Sequence, residues 1–373
     1  MSEVRMIFAG GGTGGHLYPA LAIARALEKT LAPRVCNIRF VGSRRGIEFR
    51  QRDTLGYPLE LMNIRGLPRK LSLKSALFPF LLLGAMIKCN SLLSSFQPHL
   101  VVGTGGYVSG PIVRRAAARG ILTAVQEQNS YPGLTTRHLA AKVDRVYLGF
   151  AEAIKHLPEK APVMTTGNPI RAEIGAVDRL SACAAFNLDP QKKTILALGG
   201  SQGAQSINRA ISNGLCDMPE SAQLLWQTGA LEYEELAGKH GGQGNVRLFA
   251  FTEKIAEAYA AADLAISRAG ALTVAELKAS LTPALLIPYP HATADHQMKN
   301  ARAVEDKGAA IVIEDEQLAG ARIIKRANDI LSGAERQTMV KALELWNKEL
   351  PGRATDVIAA DLVRLLEEKG VLS

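Results

Sequence analysis

Three glycine-rich segments, each between a predicted strand and a predicted helix, carry the clearest chemistry in this sequence. They are Gly10–His16 (GGGTGGH), Gly103–Gly106 (GTGG) and Gly199–Gly203 (GGSQG). Backbone N–H groups at a helix N-terminus and the helix dipole both favour a bound anion. Because glycine has no side chain, it lets that anion approach the backbone closely. The three segments therefore predict loops that hold a phosphate or diphosphate.

The first segment formally matches the dinucleotide fingerprint G-x-G-x-x-G through Gly10, Gly12 and Gly15. A dinucleotide site also needs an acidic residue at the end of the second strand, where this chain has Gly42-Ser43-Arg44-Arg45. Arginines at that place suit the 2′-phosphate of NADP, so an NADP-dependent oxidoreductase stays as an alternative. A lone fingerprint is weak evidence for that class of protein.

His16 and Glu127 are the candidate general bases. His16 stands at the start of the helix after the first loop, where the neutral imidazole is favoured. It suits proton abstraction from a hydroxyl, donation to a phosphate or a purely structural hydrogen bond. Glu127 follows a predicted strand, and polar residues at such strand ends line the ligand crevice of open parallel sheets. Ordinary turn capping is the alternative for Glu127, and the sequence does not choose between the two bases.

The segment Ser267–Glu276 joins a predicted strand to a predicted helix. Glu276 lies three residues after Thr273, a spacing that fits a capping box with Thr273 as the helix cap after a turn at Gly270. The alternative is that the Glu276 carboxylate accepts hydrogen bonds from a sugar diol. His291 and His296 follow the next strand, but no third ligand is near them in sequence, so no metal site is predicted.

The elements that position these residues repeat along the chain. Predicted strands at 4–9 and 38–41 flank a predicted helix at 17–31, a βαβ unit with parallel strands. Residues 165–171 (TTGNPIR) predict a linker, after which the strand, glycine loop and helix recur from Thr194. The length of 373 residues suits two such α/β domains. Further strands are predicted at 100–102, 121–125, 143–148, 194–198, 223–226, 245–249, 264–267, 284–287 and 310–313, further helices at 112–119 and 204–215, and a final amphipathic helix at 354–368.

Charge divides the chain in the same way. Residues 1–165 hold 22 Lys+Arg against 9 Asp+Glu, whereas the remainder holds 22 against 26. A basic half favours an anionic partner such as a membrane surface, nucleic acid or polyphosphate. A solvated basic surface without a role is the alternative.

An apolar stretch at 76–87 lies within this basic half, between cations at 65–74 and Lys88. Its length of about 12 residues is too short to span a bilayer, which takes roughly 20. It predicts either a buried core helix or a helix on a membrane surface, and the flanking cations favour the surface. Pro79 within the stretch is expected to kink or split that helix.

The four cysteines are far apart and form no CxxC pair, which predicts reduced thiols in a reducing compartment. The N-terminal residues MSEVRMIFAG enter a predicted strand directly and lack the pattern of a signal peptide.

Seven motifs in register together resemble the MurG family of peptidoglycan N-acetylglucosaminyltransferases. They stand at 11–16 (GGTGGH), 105–111 (GGYVSGP), 127–129 (EQN), 167–171 (GNPIR), 199–204 (GGSQGA), 268–276 (RAGALTVAE) and 296–301 (HQMKNA). The resemblance implies a GT-B fold: two Rossmann-like α/β domains with a cleft between them and a C-terminal helix that returns to the N-terminal domain. The expected boundaries are 1–164 with about 350–373 for the acceptor- and membrane-binding domain, and 165–349 for the UDP-GlcNAc-binding domain.

The implied reaction is an inverting transfer of N-acetylglucosamine from UDP-N-acetylglucosamine to the 4-hydroxyl of undecaprenyl-diphospho-muramoyl-pentapeptide, without a cofactor. The resemblance implies a peripheral enzyme on the cytoplasmic face of the inner membrane. Its expected partners are the two substrates, an anionic membrane surface and other cell-wall and division proteins, with no nucleic acid. The alternatives are a GT-B transferase with another lipid acceptor, an NADP-dependent oxidoreductase, and a non-catalytic basic protein that binds nucleic acid or membrane.

The resemblance also implies roles for individual residues. His16 matches a position proposed as base or as acceptor-phosphate ligand, and Glu127 stays the other candidate catalytic residue. The expected UDP-GlcNAc contacts are Thr13, Gly14, Gly15, Asn129, Arg171, Ser201, Thr252, Ala271, Leu272, Thr273, Val274, Ala275, Glu276 and Gln297, with Glu276 on the ribose and Ser201 at the phosphates. The expected acceptor-diphosphate contacts are Gly14, Gly15, Gly105, Gly106 and Tyr107, and the expected membrane contacts are Lys70, Leu73, Lys74, Leu77, Phe80 and Leu81.

Overall fold

Apolar runs fold into two separate parallel sheets, one in each half of the chain. The computed structural model describes residues 3–64, 78–200, 203–318, 322–350 and 352–372. The chain divides into unit 1, which is Met1–Ile170 with Leu350–Ser373, and unit 2, which is Arg171–Glu349. Each unit is an α/β domain of the Rossmann-like kind, as the repeated strand, glycine loop and helix predict.

Unit 1 has seven parallel strands in the order β3-β2-β1-β4-β5-β6-β7. The strands are β1 (Val4–Gly10), β2 (Cys36–Ser43), β3 (Leu59–Met62), β4 (Leu100–Gly105), β5 (Leu122–Glu127), β6 (Arg145–Leu148) and β7 (Val163–Thr165). The helices are α1 (Gly14–Leu31), α2 (Ile47–Arg50), α3 (Phe78–Phe96), α4 (Gly106–Ala117) and α5 (Leu134–Leu139), with a 3₁₀ turn at Ala151–His156.

The C-terminal helix returns to unit 1, as expected. It is α14 (Ala354–Glu368), and its buried Ile358 and Leu362 share one core with Ile23 and Leu27 of α1. Arg145 of β6 fixes the return through an ion pair to Asp361, with 2.8 Å between Nε and Oδ2. Apolar side chains of α3 and α4 cover the opposite face of the sheet.

Unit 2 has six parallel strands in the order β10-β9-β8-β11-β12-β13. The strands are β8 (Lys193–Leu198), β9 (Ala222–Gln227), β10 (Val246–Phe249), β11 (Leu264–Ser267), β12 (Ala284–Leu286) and β13 (Ala310–Val312). The helices are α6 (Arg179–Ala185), α7 (Gln205–Gly214), α8 (Tyr233–His240), α9 (Ile255–Ala261), α10 (Ala271–Ala279), α11 (His296–Asp306), α12 (Ile323–Ser332) and α13 (Glu335–Lys348), with 3₁₀ turns at Leu215–Asp217, Thr293–Asp295 and Asp315–Gln317.

Two kinds of boundary differ from the predictions. Helices α1 and α4 begin earlier than expected, at Gly14 and Gly106, so glycines of the loops form their first turns. The two edge strands β3 and β7 were not predicted, because LELM and VMT lack the longer apolar run that marks strands such as β1.

The described part of the apolar stretch is a helix with two different faces. Cys89 and Leu93 of α3 lie in the core, whereas Leu83 is 57% and Ile87 is 62% exposed. The described helix begins at Phe78, and the turn before Pro79, where a proline would kink it, lies outside the described residues, so the kink at Pro79 stays a prediction. The predicted membrane contacts Lys70, Leu73, Lys74 and Leu77 lie outside the described residues, as do the side chains of Phe80 and Leu81.

Within the described ranges, the helices are too short or too polar to cross a membrane. All four cysteines fall within those ranges and are free thiols.

Candidate active site

Two helix N-termini lie side by side at the carboxyl edge of the unit 1 sheet. Strands β1 and β4 are neighbours, with Gly10 opposite Gly105, and α1 and α4 begin directly after them. The two loops touch, because a Cβ on Gly106 would come within 2.6 Å of the Gly11 carbonyl oxygen. The arrangement therefore directs two positive helix ends toward one edge, as an anion site requires.

The predicted acceptor-diphosphate residues occupy these two helix starts. Gly14 and Gly15 are the first two residues of α1, after Thr13 as N-cap. Gly106 and Tyr107 hold the same positions in α4, and the Tyr107 side chain is 57% exposed. Thr13 and Gly15 are exposed, so their backbone is accessible to a ligand.

His16 has a fixed tautomer. Its Nδ1 lies 3.1 Å from Oε1 of Gln128. The amide orientation of Gln128 follows from its Nε2, which donates to the carbonyl oxygen of Thr104 at 2.7 Å and to Gln126. An amide oxygen only accepts, so the proton of the neutral imidazole is on Nδ1 and the lone pair is on Nε2. This is the protonation pattern of a general base that acts through Nε2.

The space for the His16 ring comes from Gly105. Its φ of +109° is in the region that favours glycine, and a Cβ there would lie 2.5 Å from His16 Nδ1. The hydroxyl of Thr104 donates to the His16 carbonyl oxygen at 2.7 Å and so ties α1 to β4. The second glycine segment therefore helps to position His16, which ends the first segment.

The other candidate base, Glu127, ends β5 and is 3% exposed. Its Oε1 accepts from the backbone N–H and the Nδ2 of Asn129 at 3.0 and 3.2 Å. Its Oε2 accepts from the backbone N–H of Gly133 at 2.9 Å. The carboxylate therefore organises the loop that carries Asn129 and leads into α5.

A buried chain of amides supports His16 and was missed at the sequence level. Gln126 Nε2 donates to Oδ1 of Asn168 at 2.9 Å, and Asn168 Nδ2 donates to the Gln128 carbonyl oxygen at 2.8 Å. All three side chains are nearly or fully buried. Gln128 and Asn168 stand in the EQN and GNPIR motifs, which was the one signal that could have pointed to them.

Glu48 is a second residue that the sequence did not reveal. It is fully buried, and its Oε2 accepts from the backbone N–H of Gly12 at 2.8 Å. Its Oε1 accepts from the backbone N–H of Ser43 at 2.7 Å. The group that the Gly12 N–H binds is therefore the carboxylate of Glu48, and not a ligand. This finding weighs against an NADP site, since a dinucleotide needs the loop and the end of β2 that Glu48 fills.

In unit 2, Glu276 lies in the second turn of α10, and the capping-box prediction is wrong. The helix begins at Ala271 with Gly270 as N-cap, so Thr273 is inside the helix rather than at its cap. The carboxylate instead accepts from the hydroxyl of Tyr259 on α9, with 3.0 Å between Oη and Oε2. Burial raises the pKa of the Glu276 carboxyl to about 7, against the opposing effects of the Tyr259 hydroxyl and the Arg171 cation.

Gln227 at the end of β9 links the third glycine segment to Thr252. Its Nε2 donates to the Gly200 carbonyl oxygen at 3.1 Å, and its Oε1 accepts from the Thr252 backbone N–H at 3.3 Å. The predicted phosphate contact Ser201 lies outside the described residues. Arg171 Nη1 lies 3.5 Å from the carbonyl oxygen of Glu253, beside Thr252. These residues therefore gather at the carboxyl edge of the unit 2 sheet.

The remaining predicted donor residues line the starts of α10 and α11. Ala271 and Val274 are buried, whereas Leu272, Thr273 and Ala275 are partly exposed. Gln297, in the first turn of α11, accepts from the Tyr289 backbone N–H at 2.9 Å through its Oε1. Among the residues that the structure describes, no three His, Cys, Asp or Glu side chains gather as metal ligands would.

The two Rossmann-like domains, each with its glycine loops at the carboxyl edge of a parallel sheet, define a GT-B protein. A solved structure titled as the MurG of Acinetobacter baumannii is similar, with a TM-score of 0.75 and 26% identity, and the match covers 97% of this chain and 99% of that one.

Family models and relatives agree with this class. Residues 6–148 match the glycosyltransferase family 28 N-terminal domain, and residues 194–350 match the family 28 C-terminal domain. A protein of Chlorobium phaeobacteroides is 41% identical, over 92% of this chain and 94% of its own length. A protein of Flavobacterium psychrophilum is 38% identical, over 99% of this chain and 100% of its own length. Both are named UDP-N-acetylglucosamine–N-acetylmuramyl-(pentapeptide) pyrophosphoryl-undecaprenol N-acetylglucosamine transferase. The chain belongs to glycosyltransferase family 28 and, within it, to the MurG family.

Proposed function

We propose that this protein transfers N-acetylglucosamine from UDP-N-acetylglucosamine to the 4-hydroxyl of undecaprenyl-diphospho-muramoyl-pentapeptide. The observation that carries the proposal is the nearly full-length similarity to transferases whose names specify this donor and this acceptor. The reaction makes the lipid-linked disaccharide used in peptidoglycan synthesis.

Donor binding is assigned mainly to unit 2. Glu276 accepts hydrogen bonds from the ribose diol, and Tyr259 holds its carboxylate in place. Thr252, Gln227 and the third glycine loop hold the nucleotide beside it. The start of α10 adds a helix N-terminus, which favours the negative charge of a diphosphate. Arg171, Gln297 and, from unit 1, Asn129, Thr13, Gly14 and Gly15 complete the proposed set.

Proton transfer is assigned to His16. Its Nδ1–H is held by Gln128, so its Nε2 takes the proton of the acceptor hydroxyl. The acceptor oxygen then forms a bond to the anomeric carbon, and the bond from that carbon to the diphosphate breaks. The electron pair of the broken bond leaves with UDP, and attack from the opposite face gives the β-linkage. Glu127 holds the Asn129 loop in this scheme and is not the base.

The acceptor diphosphate is assigned to the paired helix starts of unit 1. Gly14 and Gly15 on α1 and Gly106 and Tyr107 on α4 offer first-turn N–H groups along one edge. Gly105 contributes by leaving room for His16.

A direct assay tests the proposal. Purified protein is given UDP-N-acetylglucosamine with a short-chain analogue of the muramoyl-pentapeptide diphospholipid, and UDP is measured. We expect UDP only when the acceptor is present, together with a product heavier by one N-acetylglucosamine. Folded protein that forms no UDP with this acceptor, but does so with another lipid acceptor, would assign it to a different GT-B transferase.

We also propose that the protein binds the cytoplasmic face of an anionic membrane, which is the face that presents the lipid-linked acceptor. Leu83 and Ile87 are exposed apolar residues on α3, in the basic half of the sequence. A peripheral helix of this kind inserts its apolar face at the headgroup boundary.

The double variant Leu83→Ser/Ile87→Ser tests this surface by flotation with vesicles that contain anionic lipid. We expect weaker vesicle binding and unchanged turnover of a short-chain acceptor. Leu345→Ser is the matched control, since Leu345 of α13 is similarly exposed at 65% but lies in unit 2. Equal vesicle binding by all three proteins would exclude this face of α3 as the membrane contact.

A further inference from the structure

The carboxylate of Glu48 lies beneath the first glycine loop and bridges two segments. Glu48 is in the first turn of α2 and is fully buried. Its Oε2 accepts from the Gly12 backbone N–H at 2.8 Å. Its Oε1 accepts from both the backbone N–H and the hydroxyl of Ser43, at 2.7 and 3.1 Å. Both oxygens are thus satisfied, as a buried carboxylate requires.

Three glycines surround this carboxylate because a side chain would collide with it. A Cβ on Gly11, Gly42 or Gly46 would lie 2.3, 2.3 or 2.0 Å from the nearest Glu48 atom. Gly12 is different: its φ is +91° and a Cβ there would meet nothing. The glycines around the loop therefore have two separate causes, space for Glu48 and one left-handed backbone position.

Glu48 also supplies the charge that helix α1 lacks at its own start. In the described first turn of α1 there is no acidic side chain, and the N-cap Thr13 makes no side-chain capping hydrogen bond. A carboxylate bound to the N–H of the preceding Gly12 is close enough to interact favourably with the helix dipole.

We propose that Glu48 is a positioning residue that holds the glycine loop, and with it Gly14, Gly15 and His16, in the geometry that transfer requires. This inference rests on the proposed function. Glu48 binds the loop at Gly12, and Thr104 binds the His16 carbonyl oxygen at its other end. Loss of the Glu48 contact frees the turn before α1 to shift, and with it the start of the helix that carries Gly14, Gly15 and His16.

Glu48→Gln tests the proposal with the smallest change in shape. One oxygen becomes an NH₂ group that faces a backbone N–H donor, so one of the two backbone hydrogen bonds to this side chain must break. We expect amide hydrogen exchange in peptides that cover residues 8–16 or 40–46 to rise by about tenfold or more. We expect kcat to fall by roughly 10- to 100-fold, the scale of a misplaced catalytic group, while the KM for UDP-N-acetylglucosamine, which is bound mainly by unit 2, changes much less than kcat.

The matched control is Glu60→Gln, since Glu60 is a partly exposed carboxylate of the same sheet that pairs with Arg39. It should leave exchange at the loop and kcat unchanged. Gly46→Ala is the second variant: it keeps the carboxylate but crowds it, and should lower kcat in the same way even where Glu48→Gln folds poorly.

A double-mutant cycle separates positioning from general stability. Gly11→Ala should raise amide exchange at the loop strongly in the wild-type background. It should raise exchange much less in the Glu48→Ala background, because the colliding carboxylate atoms are then absent. Faster exchange with unchanged kcat would overturn the proposal, as would unchanged exchange. If the wild-type protein makes no UDP, the proposed function fails, whereas the exchange and cycle measurements still decide whether Glu48 holds the loop.

Discussion

Glu127 in unit 1 and Glu276 in unit 2 are carboxylates near the carboxyl edge of a parallel sheet, but their oxygens are used differently. Glu127 accepts backbone N–H groups on both oxygens, from Asn129 and Gly133. Glu276 receives a tyrosine hydroxyl on Oε2, and it is more exposed than Glu127. The first carboxylate shapes its own loop, and the second keeps acceptor capacity for a ligand.

The comparison shows how to separate structural from ligand-binding carboxylates. Backbone donors bind a carboxylate that the fold itself needs, as they also do at Glu48. Desolvation raises the pKa of the Glu276 carboxyl, and among the described residues the Tyr259 hydroxyl is its one hydrogen-bond donor. Such a group gains hydrogen bonds when a diol arrives, so nucleotide binding is where we expect its effect.

The largest expected effect belongs to unit 1 and to proton transfer. His16→Ala should lower kcat by roughly 10²- to 10⁴-fold, the usual contribution of a general base, with little change in the KM for UDP-N-acetylglucosamine. Steady-state kinetics with a short-chain acceptor measures both constants. A variant that keeps its kcat and raises only the acceptor KM would place His16 on the acceptor phosphate instead.

Next in size is the loss of the unit 2 carboxylate. Glu276→Gln should raise the KM for UDP-N-acetylglucosamine roughly 10- to 100-fold, the value of hydrogen bonds to a charged group, with a smaller effect on kcat. The matched control is Glu257→Gln, which changes an acidic residue on α9 outside the proposed site and should leave the donor KM unchanged. An unchanged donor KM would remove Glu276 from the nucleotide site.

The pH dependence of donor binding follows from the same carboxyl. A diol donates to the ionised form, and the pKa is about 7 in the free protein, so donor affinity should weaken as pH falls below about 7. The limiting slope is about tenfold in KM per pH unit. Donor KM measured from pH 5.5 to 8.5 should show this trend in the wild type and lose it in Glu276→Gln. A parallel trend in both proteins would assign it to another group.

Tyr259→Phe should have a smaller effect of the same kind. Loss of one hydroxyl donor should raise the donor KM by about three- to tenfold. Because the Tyr259 hydroxyl lowers the pKa of Glu276, its removal should also move the KM transition to higher pH. A purely structural role for Tyr259 would change stability and leave that pH transition in place.

The smallest kinetic effect is expected at Glu127, which makes this variant the sharpest test of the comparison. Glu127→Gln keeps the shape but loses an acceptor for Asn129 or Gly133, so the free energy of unfolding should fall by about 1 to 3 kcal/mol. The kcat should fall by less than about tenfold, far less than the general-base scale. Chemical denaturation and steady-state kinetics measure the two quantities. A loss of kcat as large as that of His16→Ala would make Glu127 the base and reverse the assignment.

The sequence alone determined the two parallel α/β units, their glycine loops and the family. Strands such as Val4–Gly10 and Lys193–Leu198 are mostly apolar, and each is followed by a glycine-rich loop. These features depend on neighbouring residues, so they can be deduced without the fold.

Only the tertiary structure decided what each polar group binds. The anion under the first loop is Glu48, 36 positions from Gly12, and the partner of His16 is Gln128, 112 positions away. Tyr259 on α9 and Glu276 on α10 meet although they lie 17 positions apart on different helices, which no spacing rule predicts. Strand order and helix packing bring such groups together, and the cost of an unsatisfied buried polar atom then fixes their pairing.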